Sequence, residues 1–225
     1  MDIRELARGR WGGRLSTTMG AINARHPWSH NDHFHPWILT RLPEARGRAL
    51  DVGCGRGELL AVFATHFDSV NGIDVDCTMR EAASARCAGL ANVTIDATPL
   101  SEVARSVDLV TMVAVLHHLD IEEALVDVRR LLAPGGRFLS VGLACPASVT
   151  DHVWDVASIV TNPAIGYVKH PWVSTRGVQP PTTPVADPRL PYDEIRETVA
   201  QVMPGARMRH RLGFRHTVEW TKPLS

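Results

Sequence analysis

Three glycines at alternate positions break an apolar run that reads Leu50-Asp51-Val52-Gly53-Cys54-Gly55-Arg56-Gly57-Glu58. Alternating glycines add backbone freedom that neither a strand nor a helix tolerates, so this stretch is a tight turn that lets main chain come close to a ligand. The dinucleotide pattern G-x-G-x-x-G does not fit, because Glu58 stands where its last glycine would be. A carboxylate at the start of the next helix repels a pyrophosphate, so the ligand at this turn carries no phosphate. Glu58 thereby argues against an NAD-dependent oxidoreductase. Asp74 follows Gly53 by 21 residues. At the end of a strand such an acid can accept both hydroxyls of a sugar, each charge-assisted bond contributing roughly 1.5–3 kcal/mol. Asp51, inside the strand before the turn, can either face the ligand or bond the following loop amides.

Histidine is the obvious supply of a general base, with 11 in the chain. His117 and His118 are adjacent, so one is expected to face a ligand and the other to pack. His30, His33 and His35 form a second cluster with Trp28 and Trp37 interleaved. No Cys or carboxylate is placed to complete a metal site there, and no metal is expected. The tripeptide His-Pro-Trp recurs at 26–28, 35–37 and 170–172. It marks either a taste for rigid aromatic loops or one shared pocket.

The elements that must position these groups alternate from Arg48 onward. Apolar and turn patterns predict strands over Ala49–Gly53, Ser69–Asp74, Asn92–Ile95, Val107–Leu116 and Arg137–Gly142. Helices are expected between them over about Glu58–His66 and Thr78–Leu90. A third has Asp120 as its cap, Glu123 completing a capping box, and Ile121, Ala124, Leu125, Val128 and Leu131 as its buried stripe. A last helix over Pro191–Met203 precedes strands at Ala206–Leu212 and Arg215–Lys222, joined around Gly213 as a hairpin. Ahead of the alternation, Phe34, Trp37, Ile38 and Leu42 predict a short helix capped by Ser29 or Asn31 and stopped by Pro43. Residues 144–191 hold eight prolines with only a weak helical pattern over Val153–Val160, which reads as a functional or mobile insert. The result is an α/β fold, a Rossmann-like, doubly wound and mostly parallel sheet with a C-terminal antiparallel hairpin.

Composition narrows the class. At 225 residues, 44% hydrophobic and 21% charged, the chain suits one globular domain. Lys+Arg and Asp+Glu are 24 each, so no global charge recruits nucleic acid or an anionic membrane. The start, Met1-Asp2-Ile3-Arg4-Glu5, lacks the apolar run of a signal peptide, and the apolar segment Leu109–Leu116 is too short to span a bilayer. Four cysteines without C-x-x-C pairs indicate a reduced, cytoplasmic protein. Arg207, Arg209 and Arg211 alternate with Met208, His210 and Leu212, the pattern of a strand edge kept soluble.

With the elements in order, Asp51-Val52-Gly53-Cys54-Gly55-Arg56-Gly57 resembles the first motif of the class I S-adenosylmethionine-dependent methyltransferases. Four further features follow at matching distances: Asp74, Asp96-Ala97, Leu116-His117-His118-Leu119 and the turn Leu132-Ala133-Pro134-Gly135-Gly136. The resemblance covers about Arg48 to Gly142, and the helix–hairpin end matches that architecture. It implies S-adenosylmethionine as cofactor, with S-adenosylhomocysteine as product, held by Asp51, Gly53, Cys54, Gly55, Gly57, Asp74, Val75, Asp96, Ala97, Val113 and Ala114. Within that set Asp74 would take the ribose, Asp96 the adenine amino group, the Ala97 N–H the ring, and Asp51 the methionine amino group. Members that methylate nucleic-acid bases tend to carry D/N-P-P-Y/F where this chain reads Ala114-Val115-Leu116-His117, which counts against base methylation.

The expectation is therefore a methyltransferase acting on a small organic acceptor, O-methylation favoured, with His117 or His118 as catalytic base. Nitrogen, sulfur and carbon acceptors stay open, as does a non-catalytic S-adenosylmethionine-binding protein. An N-terminal helical cap is expected over 1–46, a methyltransferase core over 47–225, and a lid over 144–191. His30, His33, Trp37, Trp154, Tyr167 and Trp172 are the candidate acceptor pocket. The expected partner is a small molecule, with no nucleic acid and no membrane, for a monomer or homodimer.

Overall fold

The computed structural model describes residues 32–148, 150, 151, 153, 154, 158 and 188–224. His30, Tyr167, Trp172 and the expected caps Ser29 and Asn31 lie outside them. Residues 31–145, 186–210 and 215–225 make one compact unit built on a seven-stranded sheet.

The strands are β1 (Arg48–Val52), β2 (Ser69–Ile73), β3 (Val93–Asp96), β4 (Val107–Val113), β5 (Leu132–Gly142), β6 (Arg207–Arg211) and β7 (Arg215–Thr221). They run in the order β3-β2-β1-β4-β5-β7-β6. β1 to β5 pair in parallel, and β7 pairs antiparallel to β5. The order reverses between β1 and β4, which puts a crevice outside the carboxyl ends of those two strands.

Helices α1 (His35–Leu39), α2 (Glu58–Phe63), α3 (Cys77–Cys87), α4 (Ile121–Leu131) and α5 (Tyr192–Val202) complete the unit. Successive strand residues point to opposite faces, so the strands feed two apolar layers. Leu50, Val52, Val110, Met112 and Phe138 join α4 and α5 on one side, while Ala49, Leu109 and Leu139 join α1, α2 and α3 on the other. Two helices start on aspartate caps. Asp76 accepts from Thr78 N and Met79 N, and Asp120 accepts from Glu123 N at 3.0 Å.

Five boundaries differ from expectation. The apolar run after Val107 is strand only to Val113, because Ala114 turns into the left-handed region (φ 58°) and Leu116–His118 winds into a 3-10 turn. β5 begins at Leu132, before Pro134-Gly135-Gly136, and its register against β4 jumps from Leu132 to Arg137 to absorb that tripeptide. α2 stops at Phe63 rather than His66, and α3 runs only to Cys87. The N-terminal apolar run forms a 3-10 turn over Asp32–Phe34 and then α1, with Pro36 in its first turn and Phe34 as its N-cap.

α1 belongs to the sheet unit. Ile38 is fully buried in its layer, Arg41 Nε pairs with Glu219 at 3.2 Å, and Arg137 donates to the Arg41 carbonyl at 2.9 Å. A second unit includes the described residues of 146–158 together with 211–214. There Asp151 accepts from Ala147 N, Ser148 N and Ser148 Oγ, and Ser158 Oγ accepts from Gly213 N and Phe214 N. Among the described residues, no helix is long and apolar enough to cross a membrane.

Gly72, in β2, marks the tightest approach of sheet to helix: a Cβ there would lie 2.5 Å from Leu60 Cδ1 and 2.9 Å from Cys54 Sγ. Gly72→Ala is expected to cost about 1–3 kcal/mol through overpacking, read as a lower urea midpoint at unchanged slope.

Candidate functional site

The carboxyl ends of β1, β2 and β4 gather the groups singled out in the sequence. Gly53, Gly55 and Gly57 all take positive φ (67°, 54° and 75°), which β-carbons resist. The turn is bound to β2 from its first residues, since Gly53 N and Cys54 N both donate to the Ile73 carbonyl. Asp74 continues this link. Its Oδ2 accepts from Gly55 N and its Oδ1 from Asp76 N, each at 2.9 Å. A carboxylate has about four lone-pair sites, so each oxygen keeps one for an incoming hydroxyl.

Two arginines of α3, neither foreseen, hold these loops from behind. Arg80 Nη1 donates to the carbonyls of Asp74 (2.8 Å) and Val75 (3.0 Å). Arg86 donates to the Arg56 carbonyl and pairs with Glu58 at 2.7 Å. Glu58 is thus engaged by a neighbouring cation. Val75, by contrast, is 96% exposed. Among the described residues, no atom stands within 4 Å of where a Gly55 Cβ would be. Asp96 Oδ1 accepts from Thr98 N at 2.8 Å, with Ala97 between them.

Asp51 is 3% exposed, and Thr111 Oγ1 donates to it at 2.6 Å. Thr111 was detectable as the hydroxyl inside an otherwise apolar strand. Burial pushes the Asp51 carboxyl up to about 7 against the Thr111 hydrogen bond, with Asp74 and Glu58 adding repulsion. Burial likewise raises the Cys54 thiol, which stays protonated.

His117 and His118 lie in the 3-10 turn after β4, and their ring centroids meet at 4.0 Å, tilted by 39°, instead of facing apart. The alternation expected of a strand is lost because the strand has already ended. Burial, then His118 and Arg215, lowers His117 to about 4. Among the described residues its Nδ1 is buried with no hydrogen-bond partner, while His118 is exposed. Of the aromatic pocket candidates, His33 stands edge-on to Phe34, and Trp37 packs on the α1–α3 layer with the Arg41 guanidinium 5.0 Å above its ring. Trp154 belongs to the second unit. Among the described residues, no group of three His, Cys, Asp or Glu side chains is arranged to hold a metal ion.

The raised Asp51 value has a sign for stability. A carboxyl whose folded-state value is raised contributes fully below the ordinary carboxylate range, and that contribution is lost as pH climbs toward 7. Measured against the non-titrating Asp51→Asn, the wild-type chain is expected to lose about 1.4 kcal/mol per pH unit across that window and to change little above it. Urea unfolding of both proteins between about pH 4 and pH 8 checks this.

Comparison with known proteins agrees with this geometry. A family model described as a methyltransferase domain matches residues 50–140, from β1 through most of β5. A protein named as an uncharacterized methyltransferase of Mycobacterium tuberculosis is 29% identical over 201 residues, covering 88% of this chain and 98% of that one. The trans-aconitate 2-methyltransferase of Methylobacterium radiotolerans is 40% identical over 103 residues, 44% of this chain and 39% of its own. Among solved structures, a Pyrococcus horikoshii protein superposes with a TM-score of 0.60 at 16% identity, covering 89% of this chain and 93% of that one. The geranyl diphosphate C-methyltransferase of Streptomyces coelicolor gives 0.58 at 12% identity, covering 85% and 77%. With its glycine turn, its acid-tipped second strand and its antiparallel seventh strand, the chain has the fold of the solved methyltransferases and carries a match to a methyltransferase domain over residues 50–140.

Proposed function

We propose that this enzyme transfers the methyl group of S-adenosylmethionine to an oxygen of a small organic acceptor. The observation that carries the cofactor assignment is the pairing of Gly55 and Asp74. The turn is fastened to a carboxylate with spare lone pairs, and open space stands over Gly55. A sugar hydroxyl pair fits that carboxylate, and a flat base fits the exposed Val75 side chain beside it. Asp96 and Ala97 would meet the edge of the base, and Asp51 the ammonium of the amino-acid end. Gly53, Cys54, Gly57, Val113 and Ala114 would shape the floor. No phosphate has to be accommodated, consistent with Glu58 at the start of α2.

The cofactor supplies an activated methyl on a sulfonium with a neutral leaving group. The protein's tasks are to align a nucleophile and to keep water out, and alignment alone can lower the barrier by about 7–11 kcal/mol. A hydroxyl nucleophile also needs a proton acceptor. Burial keeps His117 neutral at physiological pH, so with its proton on Nε2 the Nδ1 lone pair is available. His118, exposed and tilted against it, is the weaker candidate. The structural neighbours act on different atoms by their names, so the preference for oxygen rests on His117 and not on them. Acceptor selectivity is assigned to the aromatic and proline-rich segments 1–46 and 144–191 on composition alone.

Calorimetry with S-adenosylhomocysteine tests the cofactor half: Asp74→Ala should weaken binding more than tenfold while the circular dichroism spectrum stays unchanged. An unaltered dissociation constant would refute the ribose role. For the catalytic half, His117→Ala should lower turnover on a hydroxyl acceptor by about 10²–10⁴-fold with cofactor affinity retained. An unchanged rate would remove His117 as the base.

A further inference from the structure

β7 brings a third histidine to the same end of the sheet. His216 pairs in register with Gly142, the last residue of β5, and is 1% exposed. The Nε2–Cε1 edge of its ring lies against that glycine, so that a Cβ on Gly142 would stand 2.4 Å from His216 Nε2. Among the described residues, Nε2 is buried with no hydrogen-bond partner. His117 Nδ1 is in the same condition, on the turn that follows β4, and Ala114 of that turn donates to the Val141 carbonyl beside Gly142. Ser140 Oγ, on the same face of β5 as Gly142, is also buried and unsatisfied.

A buried polar atom left without a partner carries an uncompensated desolvation cost. A leucine or phenylalanine would fill the space beside Gly142 without that cost, so packing alone does not account for an imidazole. Around it the walls are flat rings: Tyr192 stands edge-on to His216 at 5.9 Å and stacks on His210 at 3.7 Å.

We propose that His216 Nε2 and His117 Nδ1 together form the polar subsite for the methyl acceptor, and that the acceptor is a neutral hydroxyl compound, a phenol or an alcohol. This rests on the methyltransferase reading and deepens it. Two neutral imidazoles can present one lone pair and one N–H, and a hydroxyl both donates and accepts. A carboxylate needs donors from both rings, and an ammonium offers donors alone. Burial is the chief reason that both rings stay neutral. His118 and Arg215 act in the same direction on His117, as do His210, Arg215 and His117 on His216.

The balance of the step follows. His216 donates N–H to the acceptor oxygen and holds it, while His117 Nδ1 takes the hydroxyl proton. The oxygen forms its bond to the methyl carbon as the carbon–sulfur bond breaks, and that bond's electron pair stays on sulfur. One positive charge disappears at sulfur as one appears on His117, so the pocket's net charge is unchanged. His117 then releases its proton to solvent.

Nitrogen-15 spectra of the histidine rings, recorded on the full chain saturated with S-adenosylhomocysteine, test the proposal with phenol, benzoate and benzylammonium as probes. Phenol should shift the ring signals of both His117 and His216 and bind at least tenfold tighter than the other two. His216→Phe should lose at least tenfold in phenol affinity at unchanged S-adenosylhomocysteine affinity, and His216→Gln, which keeps an amide near Nε2, should recover most of it. The wild-type spectra decide the matter if His216→Phe does not fold. Silent ring signals, or benzoate or benzylammonium binding as tightly as phenol, would overturn the subsite while leaving the methyltransferase reading in place. Failure of the wild-type chain to bind S-adenosylhomocysteine would bring down both.

Discussion

One carboxylate fastens the end of one strand to the turn that follows its neighbour. Asp74 takes the amide of Gly55 on one oxygen and that of Asp76 on the other, so the tip of β2, the glycine turn and the entry to α3 share a single anchor. The arrangement costs little strain because the glycines accept positive φ without a β-carbon clash. It also leaves lone pairs turned outward, so the group that organises the loops is the group best placed to grip a sugar. Arg80 and Arg86 reinforce it from α3 by satisfying carbonyls that the turn would otherwise leave open.

Around this anchor the two faces of the sheet carry opposite electrostatic problems. Asp51 is a buried acid held near neutrality by desolvation and by nearby carboxylates, with Thr111 as its hydrogen-bond partner. His117, half-buried, and His216, buried, are bases held neutral by desolvation and by nearby positive groups. Asp51 lies near the carboxyl end of β1, beside the reversal of strand order, and His216 lies against Gly142 at the carboxyl end of β5.

Much of this was legible in the chain itself. The glycine triplet and the acid 21 residues beyond it specify a turn and a strand tip, because no other backbone tolerates that spacing. Near-continuous apolar runs marked the strands buried on both faces, and the stripe behind Asp120 marked α4, since period and capping are local properties. Boundaries were read less well where a local signal competed with pairing. Ala114 ended β4 within an apolar run, and β5 absorbed Pro134-Gly135-Gly136 as a register shift, because the ladder on either side held.

What the sequence determined by itself was the parallel core, its crevice and the glycine turn and Asp74 that meet there, all of which depend on short-range spacing. Only the tertiary structure decided that Arg80 and Arg86 brace the loops, that the His117 and His118 rings meet instead of facing apart, and that His216 arrives beside Gly142. The last of these contacts joins positions 74 residues apart (216 − 142), through the pairing of β7 with β5. A histidine in an alternating strand carries no mark of which residue will lie against its ring, because that is set by the register of another strand and by the absence of a side chain there.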